Sequence, residues 1–92
     1  MFEIEPLDDV QQFTSFATRI DCSSVAVSPV AAVRGHARWL RIESVGSGTL
    51  AVKMAGSGGT TRTLTVLNGT EITGKILSIE TTTNVARLSV GW

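Results

Sequence analysis

From position 39 onward apolar and polar residues alternate with a period of two, the spacing that sends successive side chains to opposite faces of a strand. In Trp39-Leu40-Arg41-Ile42-Glu43-Ser44-Val45, Leu40 and Ile42 share one face while Arg41 and Glu43 share the other. Gly46-Ser47-Gly48 then predicts a turn. Thr49 to Met54 reads as a second strand with Leu50, Val52 and Met54 inward, and Gly56-Ser57-Gly58-Gly59 as the next turn. Thr61 to Leu67 predicts a third strand in which Leu64 and Val66 point inward between threonines. Asn68-Gly69 follows, the dipeptide that best suits a type I′ hairpin. A fourth strand runs from Ile72 to Ile79, with a bulge expected near Leu77-Ser78 where the alternation falters. Thr81 to Asn84 closes that segment. Val85 to Trp92 is the last strand, with Leu88, Val90 and Trp92 inward.

Short strands at about ten-residue spacing predict an all-β chain, a small antiparallel β-sandwich or barrel of about five to seven strands, mostly in meander order. Ser24 to Ser28 is a further candidate strand ended by Pro29, and residues 30–37 would extend it past a bend. Residues 1–21 read as an N-terminal arm, extended or partly helical, leaving 22–92 as the β-sandwich domain. Val10, Phe13, Phe16 or Ala17, and Ile20 recur at helical spacing, yet Thr14, Ser15 and Thr18 are indifferent helix formers. Deleting the first twenty residues should on this reading spare the β fold.

Ninety-two residues allow one domain with one modest core. Eight basic and eight acidic residues give a net charge of zero, so the electrostatics that drive nucleic-acid binding are missing. Charged residues make up only 17% of the chain, against about 25% in ordinary soluble domains. A surface so weakly charged is expected to be covered by other molecules. The charge is also divided. Glu3, Glu5, Asp8, Asp9 and Asp21 face only Arg19 in the opening segment, while the remainder is basic. An acidic arm and a basic body attract each other, within one chain or between neighbours. No run approaches the roughly 18 apolar residues of a membrane span. The first residues, acidic and interrupted by Pro6, do not resemble a secretory leader, so the expectation is a soluble protein made in a cytoplasm.

Candidate chemistry is sparse. The single Cys22 rules out an internal disulfide and a cysteine-based zinc site, and is expected as a small semi-buried apolar residue. His36 is the only histidine and stands in no recognisable nucleophile motif. Asp8-Asp9 lacks the additional oxygen ligands a hard cation needs and suits a helix start better. The glycine run at 56–59 is not followed by the Gly-Lys-Ser/Thr of a phosphate loop, so it reads as a turn. Asn68-Gly69-Thr70 matches a glycosylation sequon, without the secretory context that would make it meaningful. Neither catalytic residues nor a cofactor or metal site is expected, and the chain does not read as an enzyme. Trp39 alternates with Arg41 and so belongs on the polar face. It is expected first as an interface anchor, next as a core plug, and last as a stacking platform for a ligand.

The segment from Arg38 to Trp92, 55 of the 92 residues, resembles small accessory virion proteins of tailed bacteriophages, encoded close to the major capsid gene. The features that carry the resemblance are Arg38-Trp39-Leu40-Arg41-Ile42, Gly46-Ser47-Gly48, Leu50-Ala51-Val52, Thr63-Leu64-Thr65-Val66 and Asn68-Gly69. Lys75-Ile76-Leu77-Ser78-Ile79, Thr81-Thr82-Thr83 and the closing Leu88-Ser89-Val90-Gly91-Trp92 complete them. The first 37 residues lie outside it. The resemblance implies a capsid decoration (cement) protein that binds the outer surface of the major capsid protein lattice and stabilises the head. It implies location on the virion surface after assembly in the host cytoplasm, as a homo-oligomer with a trimer favoured, and with neither nucleic acid nor membrane as partner. The residues expected to touch capsid or a neighbouring protomer are Phe2, Ile4, Phe13, Phe16, Trp39 and Arg41. Alternatives are the base of a head fibre or spike, a tail-associated adaptor, or a carbohydrate-binding module using Trp39.

Overall fold

A computed structural model of the chain describes residues 7–57 and 60–92. The alternating runs fold into strands where the pattern places them. These are β3 (Ala37–Ser44), β4 (Thr49–Met54), β5 (Thr61–Thr65), β6 (Glu71–Ile79) and β7 (Arg87–Gly91). Two shorter strands precede them, β1 (Val10–Phe13) and β2 (Ile20–Asp21), with a single helical turn, α1 (Ala31–Arg34). All pairings are antiparallel, in the order β1-β7-β3-β6-β4-β5, with β2 added on β6. The result is the small all-β fold that the pattern predicts.

The order is not a meander. Only β4 and β5 are neighbours in both sequence and sheet. Alternation tells which face a residue occupies but not which strand lies beside it, because the pairing partners are remote in the chain. Asn68-Gly69 accordingly does not make a hairpin, since β5 and β6 lie on opposite sides of β4. No described non-glycine residue has positive φ, so within this dipeptide Gly69 but not Asn68 is left-handed, at φ 82°. The Thr70 N–H donates to the Leu67 carbonyl at 3.1 Å, giving the pattern of a type II turn. That turn docks on the end of β3, where the Gly69 N–H donates to Ile42 O and Asn68 Oδ1 accepts from the Val45 N–H, both at 2.7 Å.

The sheet turns its corner within β6. Residues 71–76 pair with β3, whereas 76–79 pair with β4. The expected bulge is present, with Leu77 as the extra residue against Lys53 and Met54. A second irregularity sets Trp39 opposite Thr73 but Ala37 opposite Ile76. Gly74 lies in it at φ 139°, where a Cβ would also stand 2.7 Å from Met54 Cε. The positive φ is what calls for glycine there, since the flexible end of Met54 could move aside. Beyond β6, residues 80–84 stay on β4, before the Ala86 N–H donates to the Ser44 carbonyl at the end of β3. Thr83 Oγ1 accepts from the Ala51 N–H at 3.0 Å and donates to the Ala51 carbonyl at 3.1 Å, replacing a strand rung with one hydroxyl.

Bending the sheet places Leu50, Val52 and Ile79 in one core with Leu40, Ile42, Ile76, Leu88, Val90 and Trp92. All of these are 0–1% exposed. The inward assignments of Leu40, Ile42, Leu50, Val52, Leu88, Val90 and Trp92 therefore hold. Leu64 follows the alternation yet remains 38% exposed, because β5 is an edge strand that overhangs the core.

The amino-terminal region departs most from expectation. Residues 10–13 are extended and pair with β7, from Val10 opposite Gly91 to Phe13 opposite Leu88. Phe16 and Ile20 are buried in the common core. Residues 7–21 are thus continuous with the sheet, and no helix forms among them. Ser24 to Ser28 is a run of turns, closed by Val27 and Ser28 N–H groups donating to the Ser24 carbonyl, so the strand expected there is absent. The Ser24 hydroxyl accepts from the Ala26 N–H at 3.2 Å, the local competition through which serine disfavours extended ladders. Residues 31–34 form α1, which ends at Gly35 in the left-handed region.

Candidate functional site

Two short-range devices fasten the opening segment to the body. The Asp8 N–H donates to the Trp92 carbonyl at 2.6 Å, and the Trp92 N–H donates to the Asp9 carbonyl at 2.9 Å. Arg34 donates to Asp8 Oδ2, with Arg38 at 3.9 Å from the same oxygen. Asp9 Oδ2 accepts from the buried Ser28 hydroxyl and, at 3.0 Å, from Gln11 Nε2. The hydrogen bond from Arg34 holds the Asp8 carboxyl below its ordinary pKa. Those from Gln11 and Ser28 do the same for Asp9. Asp8-Asp9 begins no helix, and its attraction for the basic body is satisfied within the chain.

On the outward face of the sheet, register decides what meets what. Trp39 lies between Gly91 on β7 and Thr73 on β6, while Arg41 lies between Ser89 and Glu71. Cross-strand partners share a face, so Trp39, Arg41, Thr73, Glu71 and Ser89 form one patch, which Val10 and Gln12 extend across β1. The half-buried Trp39 donates its indole N–H to Glu71 Oε1 at 3.0 Å. Gly91 lets the ring lie flat over β7, since a Cβ there would stand 2.5 Å from Leu7 Cδ1 and 3.0 Å from Trp39 Cε3. Arg41 Nε is 3.7 Å from Glu43 Oε1, which also accepts from the Ser89 hydroxyl at 3.3 Å. The patch is thus a rigid aromatic plate ringed by small polar groups and paired charges.

Of the residues expected to make contacts, Trp39 and Arg41 are the two brought together on this face. Phe13 is half-buried and packs on the core, and Phe16 is a core residue at 8% exposure. Neither projects as an anchor, because pairing of β1 with β7 turns the segment inward. Phe2 and Ile4 lie outside the described residues. Glu71, Thr73 and Gly91 complete the patch and went unnoticed in sequence. Their contribution depends on the pairing of β3 with β6 and β7, strands remote from it in the chain, for which the local pattern holds no signal.

Elsewhere the chemistry is quiet. Cys22 is fully buried, and desolvation pushes its thiol up to about 12. His36 Nδ1 lies 3.0 Å from the Ala37 carbonyl. His36 also lines an open hollow beside α1 with Asp8, Pro29, Val30, Val33 and Arg34. Among the described residues no group of three or more His, Cys, Asp or Glu side chains is arranged to hold a metal ion. No described helix is long and apolar enough to cross a membrane. Set against known proteins, the chain matches no family model, no curated sequence and no solved structure.

Proposed function

We propose that this chain is a non-enzymatic adhesion module of the virion exterior, a capsid decoration (cement) protein that binds the outer surface of a tailed phage's major capsid protein lattice. The observation that carries the reading is the Trp39 patch. Tryptophan and arginine are the residues most enriched among interface hot spots, and here both lie on one rigid, nearly neutral sheet face. The strands that build most of that face, β3, β6 and β7, fall, apart from Ala37, within the Arg38 to Trp92 segment that resembles accessory virion proteins.

The energetics suit the role. An interface of about 800 Å² per partner is of ordinary size and need not be tight. Repeated through an oligomer that touches several capsid subunits, it gains about 10²–10⁴-fold in retention from effective concentration. A trimer on the three-fold positions of the lattice would clip neighbouring capsomers against the outward pressure of packaged DNA.

A second reading, the base of a head fibre or spike, draws support from a second exposed surface. Strand β5 is exposed along its whole length and is separated from β3 by β6 and β4. A base needs one surface for the shell and another for the fibre. Quantitative mass spectrometry of purified particles decides between them. Cement is expected in fixed proportion to the major capsid protein over the whole lattice. Confinement to a few special positions favours the spike base, and absence from particles removes both.

A further inference from the structure

Among the described residues no strand pairs with the outer edge of β5, and we infer that this self-complementary edge is a docking edge for the β5 of a second copy of this chain, paired antiparallel about Thr63. This contact does not depend on the virion assignment.

The direction of the backbone groups follows from the ladder. The Val66 N–H donates to the Gly48 carbonyl at 2.8 Å, and β4 pairs with β5 from Thr49 opposite Thr65 to Lys53 opposite Thr61. Antiparallel pairs alternate between bonded and non-bonded, so the main-chain groups of Leu64 and Arg62 turn toward β4. Those of Thr61, Thr63 and Thr65 turn away from it. The opposite side of β4 agrees, because Thr49 and Ala51 accept there from Asn84 and Glu80 N–H groups. Three N–H and three C=O groups therefore line the outer edge of β5 at alternate residues.

Edges of this kind are usually blunted by proline, a bulge or a cluster of charges. Strand β5 has neither proline nor bulge, and Arg62 is its one charge. Its sequence, Thr-Arg-Thr-Leu-Thr, is nearly the same in both directions. Antiparallel pairing centred on Thr63 sets Thr61 opposite Thr65 of the second copy and Thr63 opposite itself, and all six outward groups find partners. The same register sets Arg62 opposite Leu64 of the second copy, so the arginine stem lies along an aliphatic side chain and the two guanidinium groups stay apart. Centring on Arg62 would present the same backbone groups but set the two Arg62 side chains directly opposite each other, and like charges so placed are destabilising. Leu64, 38% exposed, is the apolar side chain that the added strand would cover.

Five paired residues bury less than the roughly 800 Å² per partner of a stable interface. The contact should therefore be weak for free molecules and significant where many copies are held close together, as in a lattice where it would join adjacent oligomers across two-fold positions.

Amide hydrogen exchange followed from about 10 µM to about 1 mM, together with sedimentation equilibrium, tests the inference directly. Thr61, Thr63 and Thr65 amides should gain protection as concentration rises and a dimer appears, while Arg62 and Leu64 amides stay constant. Thr63→Pro removes only an outward N–H and should weaken association by about tenfold or more. The wild-type exchange pattern requires no variant, so misfolding of Thr63→Pro would not blunt the test. The inference is overturned by a Thr63 amide indifferent to concentration, by association that Thr63→Pro leaves intact, or by edge protection arising only when isolated capsid protein is added.

Discussion

The indole N–H of Trp92 donates to the main-chain carbonyl of Cys22 at 2.8 Å, a fully buried bond that joins residues seventy positions apart. It ties the last residue to the turn that follows β2. With the Asp8 and Asp9 main-chain bonds to Trp92, it makes that residue the keystone of the core. Trp92→Phe keeps most of the apolar volume but strands a buried carbonyl, so it should cost about 1–3 kcal/mol. Trp92→Ala should cost about 3–5 kcal/mol. Urea denaturation measures both. A thiol reagent offers a second readout, because Cys22 should react in native protein only on the timescale of opening. A Trp92→Ala protein as stable as wild type would contradict this role.

Phe16→Ala should destabilise by about 3–4 kcal/mol, the cost of a large-to-small change in a packed core. Removing residues 1–20 also deletes β1 and exposes β7, so the truncated chain should lose its β circular-dichroism spectrum. Retention of that spectrum would show that the segment is dispensable after all.

Gly91→Ala should cost about 1–3 kcal/mol through overpacking. The new methyl would displace Leu7 and tilt the Trp39 ring from Glu71, so a change in indole fluorescence should accompany the loss. Trp92 is remote from the outward face and buried, and Trp39→Phe in the same background separates the two signals. Unchanged stability and fluorescence would mean that the ring does not lie over β7 as described.

Acid should weaken the fold from a defined side. The Arg34 hydrogen bond lowers the Asp8 pKa, the Gln11 and Ser28 bonds lower that of Asp9, and Ser23 lowers that of Asp21, all from an ordinary 3.8. Folded-state values below the unfolded ones mean that the unfolded chain binds protons first. Their stabilisation is therefore complete above the ordinary value and is lost as pH falls through the folded values. Melting temperature should be level between about pH 7 and about pH 5 and fall below about pH 4. Asp8→Asn with Asp9→Asn should flatten that fall, and an identical acid limb in the double variant would remove the carboxylates as its cause.

Faces were legible in the sequence, and neighbours were not. Alternation located Leu40, Leu50, Leu88 and Trp92 in the core and Trp39 on the outside, because a strand's period is local. It even placed the bulge at Leu77, where two apolar residues break step. Strand order, the corner at Gly74 and the Glu71 partner of Trp39 all depend on pairing between distant residues. The opening segment misled for another reason. Phe13, Phe16 and Ile20 fit a helical stripe equally well, and only pairing with β7 and β6 selects the extended form. Asn68-Gly69 shows the same limit, since a good hairpin dipeptide becomes a type II turn when the flanking strands belong on opposite sides of β4.

The proposed function makes the Trp39 face an adhesive surface for the capsid lattice. Its most direct measurement is saturation binding of purified wild-type and Arg41→Glu protein to expanded phage heads that lack the chain. Arg41 is exposed, lies 3.7 Å from Glu43 and stands opposite Glu71 among the described residues, so reversing its charge should cost no more than about 1 kcal/mol of stability. Saturable binding in fixed proportion to capsid subunits is expected, weakened by about tenfold or more in Arg41→Glu. Heads that take up no wild-type protein, or that take up both proteins equally, would contradict it.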